Sequence, residues 1–411
     1  MKICGLVAEY NPFHNGHVHH MEEARKLTGC DYIIVVMSGD YVQRGTPAVI
    51  DKYERTAMAL DGGADLVLEI PTLFSTASAE TFATAAMSLL TQLGCVDSVC
   101  FGTELGDLAP LKKIAEILNN EPDSFKEHLR DNIRTGMNYA RARSAALQQW
   151  FGDEIPNLSE ILETSNNILG IEYLRALDRL GSSITPFTVH RWTTEYHSMN
   201  TYDDTASATF VRNKLYEDGG IEAVTPFVTP YTAREFAIKY GISTPVRADD
   251  FSMLLQYRLV SEKDRLTDYL DFTPETAERI RNLLPDVCTF REWSGAIKSK
   301  SYTHTRINRA LLHLILNIKE KDLDAYVDED YCMYARILGF RKDSLPLLSI
   351  VKDSTPLPLI SKMADAKKIL SPKAMRLLSI DIFGAEIYRN VVYQKFGTQL
   401  KDEFTQGIVK M

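Results

Sequence analysis

A chain of 411 residues, 45% apolar and 25% charged, has the composition of a globular protein and is too long for one ordinary hydrophobic core, so two or three domains are expected. The net charge of −9 argues against a protein that coats nucleic acid over its whole surface, and leaves room for a local basic face. Six cysteines, scattered singly with no C-x-x-C pair, give neither a disulfide framework nor a zinc site and read as small buried apolar residues in a reducing compartment.

Lys2 to Glu9 is a short apolar run of strand length, Asn11-Pro12 signals a turn, and His17 to Leu27 has the composition of a helix. No secretory pattern precedes this run, and no window nears the roughly 18 unbroken apolar residues of a membrane span, so a cytoplasmic protein off the membrane is expected. A helix that opens straight after a strand points free N–H groups and its positive dipole end at the space above the strand's carboxyl end, which favours phosphate. His14 and His17 flank Asn15-Gly16 at that point. Gly16 lets a ribose or base lie against the backbone, and each imidazole can donate to phosphate oxygens as charge grows in a transition state.

Asp31 to Ser38 reads as an inner parallel strand, and the loop Ser38 to Ala48 leads to Asp51, the expected cap of a helix that ends near Asp61-Gly62-Gly63. Asp65 to Ile70 is a third strand, Ser78 to Leu93 a helix, and Ser98 to Phe101 a fourth strand closing on Gly102-Thr103-Glu104. Short apolar strands alternating with helices predict an α/β fold with a parallel sheet, whose ligands lie above the strands' carboxyl ends. From Asp107 to Leu180 the pattern is helical, Ile184 to Trp192 returns to strand, and Ala206-Ser-Ala-Thr-Phe-Val-Arg212 is a turn opening a helix. Beyond Arg234 no further strands are expected, only amphipathic helices broken by prolines. Between Arg279 and Arg309 seven cations face two acids, a net of five positive charges, with Trp293 and Tyr302 interleaved as a surface that holds phosphates and stacks bases would need.

His14-Asn15-Gly16-His17 resembles the His-x-Gly-His signature of nucleotidyltransferases and class I aminoacyl-tRNA synthetases, and Ala206 to Arg212 resembles their second signature. The wider chain, at residues 5–20, 37–48, 165–173, 206–212 and 296–309, resembles the bacterial tRNA(Met) cytidine acetate ligases. The resemblance implies a Rossmann-like nucleotidyltransferase domain over residues 1–225, followed by a mostly helical tRNA-binding domain over 226–411. It implies ATP contacts at Leu6, Val7, Ala8, Glu9, Tyr10, Asn11, Pro12, Phe13, His14, Asn15, Gly16, His17, Val18, His19, His20, Gly102, Asn167, Arg191, Trp192, Ser207 and Arg212. His14, His17 and Arg44 are the catalytic candidates, while His19 and His20 also read as helix-surface or packing residues. Lys298, Lys300, Arg306 and Arg309 are the candidate tRNA contacts. The role of Asp40 stays open between a phosphate-side carboxylate and a cap, and Tyr334 to Phe340 reads as packing.

The implied reaction joins acetate to N4 of the wobble cytidine of elongator tRNA(Met), through acetyl-adenylate, with AMP and pyrophosphate released. ATP enters as substrate, expected with Mg²⁺; no resident metal, no membrane and no obligate protein partner are expected. Two other readings stay open: an adenylyltransferase for a small phosphomonoester, and an RNA-binding protein with a vestigial nucleotide site.

Overall fold

The computed structural model describes residues 1–191, 206–217, 220–284, 286–299, 302–327 and 330–411. Its centre is a sheet of strands β1 (Ile3–Ala8), β2 (Tyr32–Ser38), β5 (Leu66–Ile70), β6 (Ser98–Thr103), β7 (Thr185–His190), β8 (Ala335–Phe340), β9 (Leu359–Ile360) and β10 (Val409–Lys410). Between β2 and β5 a small hairpin, β3 (Tyr41–Val42) and β4 (Thr46–Pro47), stands apart. The order is β10-β8-β5-β2-β1-β6-β7, with β9 also on β8; every pair is parallel except β5 with β8.

Alternation along each strand feeds two cores. Ile34, Val36, Leu66, Leu68 and Phe101 face one side, under the helices Ala79–Gln92 and Ser165–Arg179. Ile33, Val35, Met37, Val67 and Cys100 face the other, under α1 (Asn15–Thr28) and α2 (Lys52–Asp61). Asp51 caps α2 through the N–H groups of Tyr53 (2.9 Å) and Glu54 (3.1 Å), as the sequence predicts, and Ser78 caps the Ala79–Gln92 helix.

The expectation of no strands beyond Arg234 is corrected by β8, β9 and β10. β8 was hidden because its apolar run is interrupted by Arg336, a charge that a buried strand tolerates only with partners. Arg336 pairs with Glu69 on β5 (2.7 Å) and with Glu403. Lys52, at the start of α2, completes the network on Glu69 (2.9 Å), Glu403 (3.2 Å) and Asp40 (3.7 Å). Asp40 also accepts the Lys52 N–H at 2.9 Å, so its carboxylate is a cap and a buried counter-ion. Tyr334 to Phe340 is buried throughout, as a packing segment should be. Among the described residues no helix is long and apolar enough to cross a membrane.

Candidate active site at the carboxyl edge of the sheet

α1 starts on His14, whose backbone is extended (φ −149°, ψ 171°). Its Nδ1 accepts the Gly16 N–H at 3.1 Å, and the His17 Nδ1 accepts the His14 N–H at 3.2 Å. This is a reciprocal capping box with imidazoles in place of the usual Ser and Glu, and it starts the helix two residues before His17. An Nδ1 that accepts carries no proton, so each neutral ring is protonated on Nε2. The two rings stack with centroids 3.7 Å apart. A methyl group on Gly16 would come within 2.9 Å of the His14 ring, so the glycine also lets the cap fold over the helix start.

His14 is 1% exposed, and its Nε2 has no hydrogen-bond partner among the described residues. Burial, then the charges of Arg191 and Arg212, push its pKa down to about 3. Burial, then His14, Arg191 and His20, hold His17 well below the ordinary histidine value, and burial with Arg191 and His19 brings His20 to about 4. At neutral pH all three are uncharged, and His14 presents an N–H donor already stripped of water. A buried donor left unpaired costs stability unless a ligand fills it.

Two guanidiniums, Arg191 and Arg212, act on this donor, and a third, Arg44, acts on those two. Arg191 follows β7, its N–H bonded to the Thr103 carbonyl at 2.8 Å, and its side chain lies over Gly102, where a Cβ would stand 2.5 Å from Arg191 Cδ. Arg212 is on the helix Ala208–Leu215, capped by Ser207 (3.1 Å from the Phe210 N–H), and donates to the Asn11 carbonyl and to Thr209 Oγ1 (3.1 Å). Arg44, exposed at the hairpin turn, is near enough to add its like charge to the desolvation that lowers the pKa of Arg191 and Arg212. The clustering of three cations beside neutral donors suits a polyanion such as a triphosphate. Glu9 is the opposing charge, with Oε1 accepting the Gln43 N–H at 2.9 Å.

Other expected contacts have internal duties. Leu6, Tyr10 and Phe13 are buried in the core beside α1, with Tyr10 edge-on to Phe13 (4.9 Å) and His17 (4.7 Å). Asn15 donates to the Pro226 carbonyl at 3.1 Å. Asn167 accepts the Leu105 N–H at 3.1 Å and donates to Thr164 Oγ1 at 2.6 Å, so its amide shapes the loop after β6. Val7, Ala8, Val18 and His20 are half-buried, Asn11 and Pro12 buried, and His19 exposed. Trp192 and Lys300 lie outside the described residues.

Two residues that sequence reasoning passed over hold the site's frame. Arg55, fully buried on α2, donates to the carbonyls of Ile50 (3.1 Å), Glu9 (2.7 Å), Ser38 (3.0 Å) and Gly39, tying together the chain ends that follow β1 and β2. Glu104 accepts the N–H groups of Asn166 (3.3 Å) and Asn167 (2.9 Å) at a helix start, and Asn166 in turn accepts from Arg191 Nη1 at 3.2 Å. An arginine one turn into a helix looks solvated in sequence; Glu104, directly after Gly102-Thr103 at the ligand edge, was the readable signal.

The basic stretch divides. Lys298 is exposed, and Arg306 lies over the Tyr302 ring at 5.2 Å with Asp271 at 3.7 Å. Arg309 is 8% exposed, with Asp271 taking its Nε at 2.9 Å and Nη2 at 3.2 Å, so its guanidinium is turned inward. The surface role expected of Trp293 is corrected: it is fully buried, its indole N–H on Gln256 at 3.3 Å. Among the described residues no group of three or more His, Cys, Asp or Glu is placed to hold a metal ion.

Residues 1–403 match the HIGH Nucleotidyl Transferase family model. The tRNA(Met) cytidine acetate ligase of Caldanaerobacter subterraneus subsp. tengcongensis is 40% identical over 413 residues, and that of Acetivibrio thermocellus 38% over 425, each covering all of both chains. A crystal structure of Thermotoga maritima TmcAL bound with alpha-thio ATP superposes with a TM-score of 0.91 at 30% identity, covering 100% of this chain and 99% of that one. The apo form of the same protein gives 0.93 at 29% identity, with both chains fully covered.

Proposed function

Because this chain belongs to the HIGH nucleotidyl transferase family, and within it to the tRNA(Met) cytidine acetate ligases, we propose that it joins acetate to N4 of the wobble cytidine of elongator tRNA(Met) at the expense of ATP. Acetate does not acylate an amine at neutral pH. One carboxylate oxygen therefore attacks the α-phosphorus of ATP; the new P–O bond forms as the bond to pyrophosphate breaks, giving acetyl-adenylate. The cytidine amine then attacks the acyl carbon, the C–O bond to AMP breaks, and the amine proton leaves to solvent. No covalent enzyme nucleophile is needed.

The observation that carries this reading is the unpartnered, desolvated Nε2–H of His14, held at a helix N-terminus beside Arg191 and Arg212, with Arg44 close to both. His14 and His17 donate to the α-phosphate as it becomes five-coordinate, while Arg212, with Ser207 beside it, and Arg44 balance the charge of the departing pyrophosphate. Mg²⁺, as the nucleotide's companion, would neutralise phosphate charge, and the chain's own part is the donors and cations named above. In this reading residues 1–225, with β8–β10 completing their sheet, carry the ATP chemistry, and the helical part of 226–411 meets the tRNA, with Lys298, Lys300 and Arg306 on phosphates of its backbone, in the cytoplasm where tRNA is found.

The test is to incubate the protein with labelled acetate, ATP and bulk tRNA. Label appearing in tRNA as N4-acetylcytidine supports the ligase. Adenylation of a phosphomonoester without label in tRNA overturns it in favour of a small-molecule adenylyltransferase, and absence of any turnover in favour of a vestigial site.

A further inference from the structure

The tip of the β3–β4 hairpin rests on the backbone of a helix some 260 residues further along the chain. Gly45 has φ +74°, and a Cβ there would overlap the Arg309 amide and lie 2.5 Å from the Asn308 carbonyl carbon, so only glycine permits the approach. Two strands of two residues, closed by the Gly45 N–H on the Val42 carbonyl (2.9 Å), cannot hold a fixed position alone in water. The hairpin is held at its base and at its tip. Buried Tyr41 donates to the Gly384 carbonyl at 2.9 Å and its own carbonyl accepts from Ser75 Oγ at 3.2 Å, and Glu9 takes the Gln43 N–H; the turn itself rests on the helix His304–Leu316.

That helix is anchored in turn. Asp271 (φ +69°) grips Arg309 through two bonds, and His313 reaches back to Thr76, its Nε2 3.2 Å from Oγ1 and 3.0 Å from the carbonyl. Burial alone would raise the Asp271 pKa, but Arg309, His313 and Arg306 more than reverse this, so the carboxylate stays ionised. The consequence for the phosphate site is direct, because the residue beside Gly45 is Arg44, one of its three guanidiniums.

We infer that the Asp271–Arg309 pair is a positioning device for the Arg44 hairpin, through which the helical part of the chain completes the ATP site. Arg309 then serves acetate activation through Gly45, not RNA by contact. The inference rests on the adenylate reading above, and its test separates the two.

Three variants, Arg309→Ala, Arg309→Lys and Gly45→Ala, are compared with the unmodified protein by three measurements. These are acetate-dependent ATP–pyrophosphate exchange without tRNA, calorimetric affinity for alpha-thio ATP, and gel-shift affinity for an elongator tRNA(Met) transcript. Arg309→Ala and Gly45→Ala should each raise the KM for ATP and weaken alpha-thio ATP binding at least tenfold, with tRNA affinity within twofold. Arg309→Lys, which keeps the charge on Asp271, should recover part of the loss; if Arg309→Ala does not fold, Gly45→Ala and Arg309→Lys carry the test. Nucleotide binding unchanged in the folded variants would overturn the inference, as would a tenfold loss of tRNA affinity in the Arg309 variants. An unmodified protein that binds alpha-thio ATP without exchanging pyrophosphate would sink the acetate reading alone, and the binding data would still decide the inference.

Discussion

His14 has two jobs that substitution can separate. Its Nδ1 caps α1 through the Gly16 N–H, and its Nε2–H is the free donor of the proposed site. Replacing it with Ala removes both; replacing it with Ser restores a capping oxygen but nothing that reaches the α-phosphate. Both variants leave a similar void at a residue only 1% exposed, so the void cancels between them. Ser should therefore exceed Ala by about 1 kcal/mol of stability in chemical denaturation, the usual worth of an N-cap. In acetate-dependent pyrophosphate exchange the two should be equally slow, because losing one preorganised donor costs about 3 kcal/mol of barrier, on the order of a hundredfold or more. Exchange restored by Ser would show that the cap, not the donor, is what matters. Unimpaired exchange in the Ala variant would remove His14 from the chemistry altogether.

Acid should destabilise the fold through the same residues. With folded pKa values of about 3 for His14 and about 4 for His20, below the unfolded value near 6.5, the folded state binds fewer protons, so their stabilisation is complete above pH 6.5 and is lost as pH falls toward 4. His14 alone contributes a loss of about 2 kcal/mol between pH 7 and pH 5; a melting temperature flat over that range would contradict the assignment of these rings as neutral. Arg336→Met leaves Glu69 and Glu403 as two buried carboxylates with only Lys52 between them and should cost about 3–5 kcal/mol in denaturant, and a loss under 1 kcal/mol would mean that the network is not stabilising as a unit. Lys298→Glu combined with Lys300→Glu should weaken tRNA binding and flatten its salt dependence while leaving nucleotide affinity alone. Equal tRNA affinity in a shift assay would refute the basic stretch as an RNA contact.

The parallel strands β1, β2, β5, β6 and β7 were legible because each is a short run with apolar residues set between turn or helix signals, whereas β9 and β10, two residues each, are too short to read. The phosphate turn was legible because His14, Gly16 and His17 sit where strand gives way to helix. The rest depended on partners distant in sequence. β8 carries an arginine at its second position and pairs antiparallel with β5, Leu66 against Phe340, and nothing local announces that Glu69 and Glu403 will neutralise it. Trp293 and Arg309 were read as surface because their neighbours are charged. Burial of Trp293 and the grip of Asp271 on Arg309 follow from helix packing that a linear count of charges does not contain. Arg55 is tolerable in the interior only because four carbonyls from three loops converge on it.

The antiparallel seam between β5 and β8 bears on how such a protein can change over time. A fragment cut near residue 225 would retain every strand from β1 to β7, yet expose the β5 edge as an open template for aggregation and deprive Lys52 and Glu69 of Arg336 and Glu403. The ATP-handling part is therefore not a portable module that could be paired with a new RNA-binding partner by simple fusion. An exchange of parts would have to carry β8, β10 and the Glu403 segment along with the nucleotide half, and any new insertion would have to support the Gly45 turn as the helix His304–Leu316 does.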